Sequence, residues 1–251
     1  MQDGSSQTLM YRAFTPSAPA NCAAVYDPIA SADPERPFVV AQLGQSLDGR
    51  IATESGESRW INGDAALDHV HRLRALVDAV VVGVGTVVDD DPMLNVRRVS
   101  GQHPARVVID PRGRIPAKVR CLAEDGTRRI VVRHADCSAA PCGAAETIVV
   151  AGTAGMICPR EIIAALFARG FKRFLIEGGA RTVSRFIDAD AVDRLHLLMA
   201  PVILGSGKPG LDLAPIKRLC DAKRPDTRAY MLDGGEVLFD CDFRKGMPRD
   251  A

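Results

Sequence analysis

Apolar residues along this chain fall into short unbroken runs separated by polar turns and by stretches with a helical period. Phe38-Val39-Val40-Ala41-Gln42-Leu43 is the first such run, and a polar turn at Asp48-Gly49 follows it. Leu67, Val70, His71, Arg74 and Leu76 recur at near-helical spacing, which predicts a helix capped by Asn62 or Asp64 and ending near Leu76. Ala79 to Val82 is a β-branched run closed by Gly83. Continuous apolar strands of this kind suit a sheet covered on both faces. Further strands are predicted at 106–109, 129–132, 147–150, 173–176 and 194–199. Pro159 opens a helix that stops at Gly170, and a second helix spans about 180–187. Asp233-Gly234-Gly235 lies between two strand-like segments and predicts an antiparallel hairpin. Strand–helix alternation with an antiparallel end implies one three-layer α/β domain around a mixed, mostly parallel sheet. This domain is expected over 37–246. Residues 1–36, punctuated by Pro16, Pro19, Pro28 and Pro34, are expected to form an extended or poorly ordered arm.

Composition adds exclusions. The formal net charge is +1, so no global field favours nucleic acid or an anionic membrane, and anionic ligands must be held by local arginines. Seven cysteines are scattered without a Cys-x-x-Cys pair, which points to reduced thiols and no zinc site. No apolar run is long enough to span a bilayer, and a cytoplasmic location is expected. There is no Gly-x-Ser-x-Gly elbow for nucleophilic hydrolysis and no zinc-deaminase signature. The field narrows to cofactor chemistry.

Two glycine turns are the candidates for that chemistry. Val82-Gly83-Val84-Gly85-Thr86 breaks a buried strand, and the backbone there is open to a ligand. The dinucleotide fingerprint is incomplete, because Val88 stands where its third glycine would be, and a plain tight turn is an equal reading. Ile176-Glu177-Gly178-Gly179-Ala180 passes from strand to helix with no spare residue, which suits a diphosphate or, alternatively, close helix–strand packing. Asp89-Asp90-Asp91 is a loop triplet that by itself argues for no metal. Arg97 and Arg98 beyond it suit a phosphate clamp.

In order along the chain, Ser46-Leu47-Asp48-Gly49-Arg50-Ile51-Ala52, Ser58-Arg59-Trp60-Ile61, His71-Arg72-Leu73-Arg74, Val82-Gly83-Val84-Gly85-Thr86-Val87, Asp90-Asp91-Pro92-Met93-Leu94-Asn95-Val96-Arg97, Arg106-Val107-Val108-Ile109-Asp110 and Glu177-Gly178-Gly179-Ala180 resemble the riboflavin-biosynthesis pyrimidine reductases, the C-terminal reductase domain of RibD-type proteins. The resemblance covers about 38–242. It implies a dihydrofolate-reductase-like fold, a homodimer, and NADPH as the cofactor. The implied reaction reduces the ribosyl group of 5-amino-6-(5-phosphoribosylamino)uracil to ribityl. The alternatives are the 2,5-diamino pyrimidinone phosphate or another imine or carbonyl, and a non-catalytic NADPH-binding module. The resemblance assigns Gly44, Trp60, Thr86, Asp90 and the loop from Gly178-Gly179 to the cofactor, with Arg112 and Arg114 near its 2′-phosphate. It assigns Ser58, Arg74, Leu94, Arg97 and Glu177 to the phosphorylated ribosylaminopyrimidine. Asp90 and Glu177 are the candidate polar organisers of catalysis. One departure stands out: the family's usual Lys-x-Ala-x-Ser-Leu-Asp-Gly begins here with Gln42 in place of lysine.

Overall fold

The computed structural model describes residues 23–245 apart from 60 and 154. Its elements in chain order are α1 (Ala23–Ala30), β1 (Phe38–Ser46), β2 (Arg50–Thr53), α2 (Asp64–Leu76), β3 (Ala79–Gly83), α3 (Val84–Asp90), β4 (Ala105–Ile109), β5 (Arg129–His134), β6 (Glu146–Val150), β7 (Gly152–Thr153), β8 (Met156–Ile157), α4 (Pro159–Phe167), β9 (Arg173–Ile176), α5 (Ala180–Asp188), β10 (Arg194–Ala200), β11 (Gly207–Pro209), β12 (Asp226–Met231) and β13 (Val237–Asp242). Nine strands form one sheet in the order β12-β13-β10-β1-β9-β3-β4-β5-β6. From β10 to β6 all neighbours are parallel, and β13 runs antiparallel to both β10 and β12. The mixed, largely parallel sheet with its C-terminal antiparallel pair agrees with the pattern of the sequence.

Val80, Val81 and Val82 of β3 are all inaccessible to solvent, because alternate side chains enter different layers. One layer packs Val81 with Ile162 and Leu166 of α4 and with Val183, Phe186 and Ile187 of α5. The other packs Val80 and Val82 with Leu73 of α2, with Val84 and Val87 of α3, and with Ile29 of α1. On α5 the buried positions 183, 186 and 187 have helical spacing, and the helix starts from Gly179 in an extended conformation.

Two features differ from the sequence expectations. Residues 23–30 form a helix rather than an arm, and residues 1–22 lie outside the described residues. Val25 and Ile29, one turn apart, are fully buried, and Tyr26 Oη lies 2.9 Å from His69 Nδ1 on α2. Pro28 inside the helix masks that signal in the sequence, yet an eight-residue helix docked on two apolar anchors tolerates one missing N–H. The start of α2 is capped by neither Asn62 nor Asp64: Gly63 is the N-cap residue, and Glu236 Oε1 accepts both its N–H and the Asn62 side-chain N–H at 2.9 Å. The hairpin turn at Asp233-Gly234-Gly235 therefore delivers a carboxylate to a helix N-terminus, a favourable place for negative charge. The Ser46-Leu47-Asp48-Gly49 segment is a clasp: Asp48 accepts hydrogen bonds from Ser46 Oγ and from the amides of Leu204 and Gly205. Those donors, the Ser46 hydroxyl foremost, hold its carboxyl down to about 2.

Ile29→Ala is expected to cost about 2–4 kcal/mol, because it opens a cavity between α1 and α2 that a short helix cannot close. Urea unfolding of the variant checks this, and a loss near zero would mean that α1 is not part of the cooperative core.

Candidate functional site

The chain leaves β3 through α3 on one face of the sheet, and it leaves the adjacent strand β9 through α5 on the other. A crevice opens between the two connections at the carboxyl ends of the strands, where α/β sheets bind ligands. Gly83-Val84-Gly85-Thr86 and Glu177-Gly178-Gly179-Ala180 are side by side there, and their glycines do different work. Thr86 Oγ1 accepts the Gly179 N–H at 3.1 Å and lies 2.6 Å from where a Cβ on Gly178 would be. Gly178 also has φ +113°, so it serves close packing and an unusual turn together. Thr182 sits in the same way against Gly83. Gly85, by contrast, faces open space where a side chain would be. The turns interlock through two threonines and still leave a slot.

That slot is a cleft of about 750 Å³ lined by Ser58, Gly83, Gly85, Thr86, Asp90, Arg112, Arg114, Gly179 and Ala180 among others. Its apolar walls include Ile51, Ile109, Ile157 and Phe186. Arg181, Arg185 and Lys208 join Arg112 and Arg114 in the lining, against Asp89, Asp90 and Asp212, so cations predominate. Arg185 donates to the Ile157 carbonyl at 2.9 Å, and burial together with nearby Arg181 lowers its basicity. Desolvation at the cleft wall and the neighbouring Asp89 carboxylate raise the Asp90 pKa, with Arg59 and Lys208 opposing them. Asp91 is not part of this group. It ends α3 in the left-handed conformation at φ 40°, and its carboxylate accepts the Arg120 N–H at 2.7 Å. Among the described residues, no group of three or more His, Cys, Asp or Glu is placed to hold a metal ion.

Glu177 and Arg74 meet under the second turn. Arg74 Nε and Nη2 donate to the two Glu177 oxygens at 2.7 and 2.6 Å, and Nη1 donates to the Asn95 carbonyl at 3.1 Å. Both side chains are buried, at 8% and 6% exposure. The planar fork and the carboxylate occupy each other's best donors and acceptors. Each is thus held by the other.

The remaining sequence candidates are dispersed. The Leu94 side chain belongs to the core, at 2% exposure, on a backbone with φ 54°. Arg97 stands on the outer loop, with Nη1 on Asn95 Oδ1 at 2.9 Å and its own N–H on His71 Nδ1 at 3.1 Å. Gly44 faces the Asn62 side chain rather than the cleft. Trp60 lies outside the described residues. Gln42 is buried on β1, in register with His196 of β10. Sequence reasoning missed Arg181, Arg185, Lys208 and Asp212. The spacing of Arg181 and Arg185 one turn apart, just after the glycine pair, was the available signal for the first two.

Comparison with known proteins shows the family of the chain. Residues 37–229 match the family described as the RibD C-terminal domain. Over 214 residues the chain is 36% identical to the 2,5-diamino-6-ribosylamino-4(3H)-pyrimidinone 5′-phosphate reductase of Methanothermobacter thermautotrophicus, covering 81% of this chain and 96% of that protein. It is 32% identical over 206 residues to riboflavin biosynthesis protein RibD of Mycobacterium tuberculosis, covering 80% of this chain and 53% of that one. The chain thus spans about half the length of such RibD relatives. Among solved structures, the Thermotoga maritima diaminohydroxyphosphoribosylaminopyrimidine deaminase/5-amino-6-(5-phosphoribosylamino)uracil reductase superposes with a TM-score of 0.72 at 27% identity, over 87% of this chain and 59% of that one. The chain belongs to the RibD C-terminal domain family, the riboflavin-biosynthesis pyrimidine reductases.

His71 supplies a pH test of this region. Its ring is held to about 4, from an ordinary 6.5, by burial first and then by Arg74, Arg97 and Arg98. Between those values the unfolded chain binds a proton that the folded ring refuses, so stability is full above 6.5 and declines as pH falls toward 4. His71→Asn, which keeps an acceptor for the Arg97 N–H, is expected to lose less stability than the parent between neutral pH and about pH 5. Urea midpoints at the two pH values check this, and equal losses would contradict it. Glu177→Ala is expected to cost about 3–5 kcal/mol, because Arg74 is left buried and unpaired. A loss below about 1 kcal/mol would show that water reaches Arg74.

Proposed function

We propose that this protein is an NADPH-dependent reductase that converts the ribosyl group of 5-amino-6-(5-phosphoribosylamino)uracil to ribityl. The observation that carries the reading is the cationic crevice between two interlocked glycine turns at the point where the strand order divides. Gly85 presents bare backbone to that crevice, and Ala180 begins a helix whose N-terminus carries no side-chain cap, a suitable seat for a diphosphate. The residues present therefore fit a dinucleotide. NADPH, when bound, supplies the hydride that reduces an open-chain imine carbon.

This chain's own part is binding, orientation and exclusion of water. Thr86 keeps the glycine turns together. Arg112 and Arg114, on the loop after β4, suit a 2′-phosphate, and Arg181 suits the diphosphate. The apolar walls displace water from the reacting atoms. Ser58 and Asp90 face the same space and offer hydrogen bonds to the ribose chain. Arg97 stands at the outer loop as the partner for the substrate phosphate. Glu177 acts through Arg74, whose position it fixes, and not as a proton donor.

A second reading keeps the chemistry and changes the ring to the 2,5-diamino pyrimidinone. It is favoured by the similarity to the Methanothermobacter reductase over nearly that protein's whole length, and by Gln42 where the family has lysine. A homodimer in the cytoplasm follows from the family resemblance. Among the described residues no helix is long and apolar enough to cross a membrane.

NADPH oxidation with the two pyrimidine phosphates side by side tests the reading. Turnover of the uracil compound supports the first ring and turnover of the diamino compound alone supports the second. Nucleotide binding without turnover of either contradicts a reductase. Arg112→Ala with Arg114→Ala is expected to raise the KM for NADPH about 10- to 100-fold and to leave that for NADH nearly unchanged, as for loss of charged hydrogen bonds worth about 1.5–3 kcal/mol. Arg97→Ala is expected to raise the pyrimidine KM far more than the NADPH KM, and equal effects on both would remove Arg97 from the phosphate role.

A further inference from the structure

A second cavity of about 750 Å³ lies on the far side of the 110–115 loop, and Arg133 at the end of β5 and Cys142 both line it. Arg133 is buried, at 5% exposure, and its fork is used in an unusual way. Nη1 donates to Cys137 Sγ at 3.4 Å and Nη2 donates to Cys142 Sγ at 3.0 Å and to the Ala140 carbonyl at 3.5 Å, while Asp110 stands 3.7 Å from Nη1. Two thiols five residues apart thus share the two ends of one guanidinium. Sulfur is a weak acceptor, and a buried arginine more often finds oxygen. Both cysteines are partly accessible, and the residues between them, Ser138, Ala139, Ala140 and Pro141, are small.

We infer that Cys137 and Cys142 form a dithiol that hydrogen peroxide oxidises to a disulfide, and that this step loosens the loop carrying Arg112 and Arg114. Cys142, which opens on the cavity, attacks one peroxide oxygen. The O–O bond breaks, hydroxide leaves and takes up a proton as water, and Cys142 becomes a sulfenic acid. Cys137 then attacks that sulfur, its proton and the sulfenic hydroxyl leave as a second water, and the S–S bond closes. Two thiols lose two hydrogens in all, and one peroxide is reduced to two waters.

The connection to the first cleft is direct. Asp110, with no exposed surface, accepts the N–H of Arg114 at 2.9 Å and that of Ile115 at 3.1 Å. Gly113, at φ 75°, packs against both the Arg133 guanidinium and Ala139. Drawing the sulfurs together removes two acceptors from Arg133 and pulls Ala139 away from Gly113. The guanidinium then competes with the Arg114 and Ile115 amides for Asp110. This consequence rests on the cofactor reading above, whereas the dithiol does not.

The tryptic peptide 134–160 contains Cys137, Cys142 and Cys158, so alkylation counting after limited hydrogen peroxide reports on all three at once. The expected result is loss of two labels at Cys137 and Cys142, reversed by dithiothreitol, before Cys158 or Cys220 reacts. Those two cysteines are the more exposed, and their reacting first would overturn the proposal. Cys137→Ser should keep activity and leave Cys142 as a sulfenic acid captured by dimedone, and absence of that adduct would also overturn it. The oxidised protein is expected to bind NADPH several-fold more weakly and NADH unchanged. A disulfide that forms without that difference removes the coupling and leaves the dithiol. Failure of the reduced protein to bind either nucleotide would instead contradict the cofactor reading, with the alkylation result standing apart from it.

Discussion

Arg74 and Glu177 form the contact on which the crevice depends. Both charges are largely withdrawn from water, so each is tolerable only with the other in place. Glu177 follows directly on β9 and leads into the glycine pair, Arg74 belongs to α2, and the third bond of the fork reaches Asn95 in the loop toward Arg97. One bidentate pair therefore fixes three segments that arrive from different parts of the chain. A shift of the Gly178–Ala180 turn would leave a charge buried without its partner, so the turn stays where Thr86 can close on it.

Around that contact, each motif divides into positions that build the site and positions that face it. In the first glycine turn Gly83 makes room for Thr182, and Gly85 borders the cleft. In the second, Gly178 accommodates Thr86 while Gly179 starts α5. In the acidic triplet Asp91 ends a helix, whereas Asp89 and Asp90 line the wall. The excess of cations in the cleft comes mostly from arginines on loops and on the first turns of α5, since the net charge of the whole chain is close to zero.

The layered fold was legible because its strongest signals are local. The strand Ala79–Gly83 and residues 174–176 are apolar throughout since both faces are covered, and Pro159 and the glycine pair mark helix starts without tertiary help. What escaped the sequence depends on long-range partners. Helix α1 carries a proline and owes its place to Leu73 and His69 on α2. The cap of α2 is a glutamate more than 170 residues away. Leu94 belongs to the substrate set by motif but points its side chain into the core. The paired role of Arg74 and Glu177 could not be read from spacing, because they are 103 residues apart. Lys208 sits on the three-residue strand β11 with no distinctive pattern around it, so only the fold brings it to the cleft.

The central claim is that the crevice between the two glycine turns is where the dinucleotide lies. A crystal structure of the complex with NADP⁺ tests it most directly. Electron density for the diphosphate at the start of α5, with the 2′-phosphate against Arg112 and Arg114, is the predicted result. A nucleotide seated instead in the cavity beside Arg133, with the first cleft holding only solvent, would contradict the account.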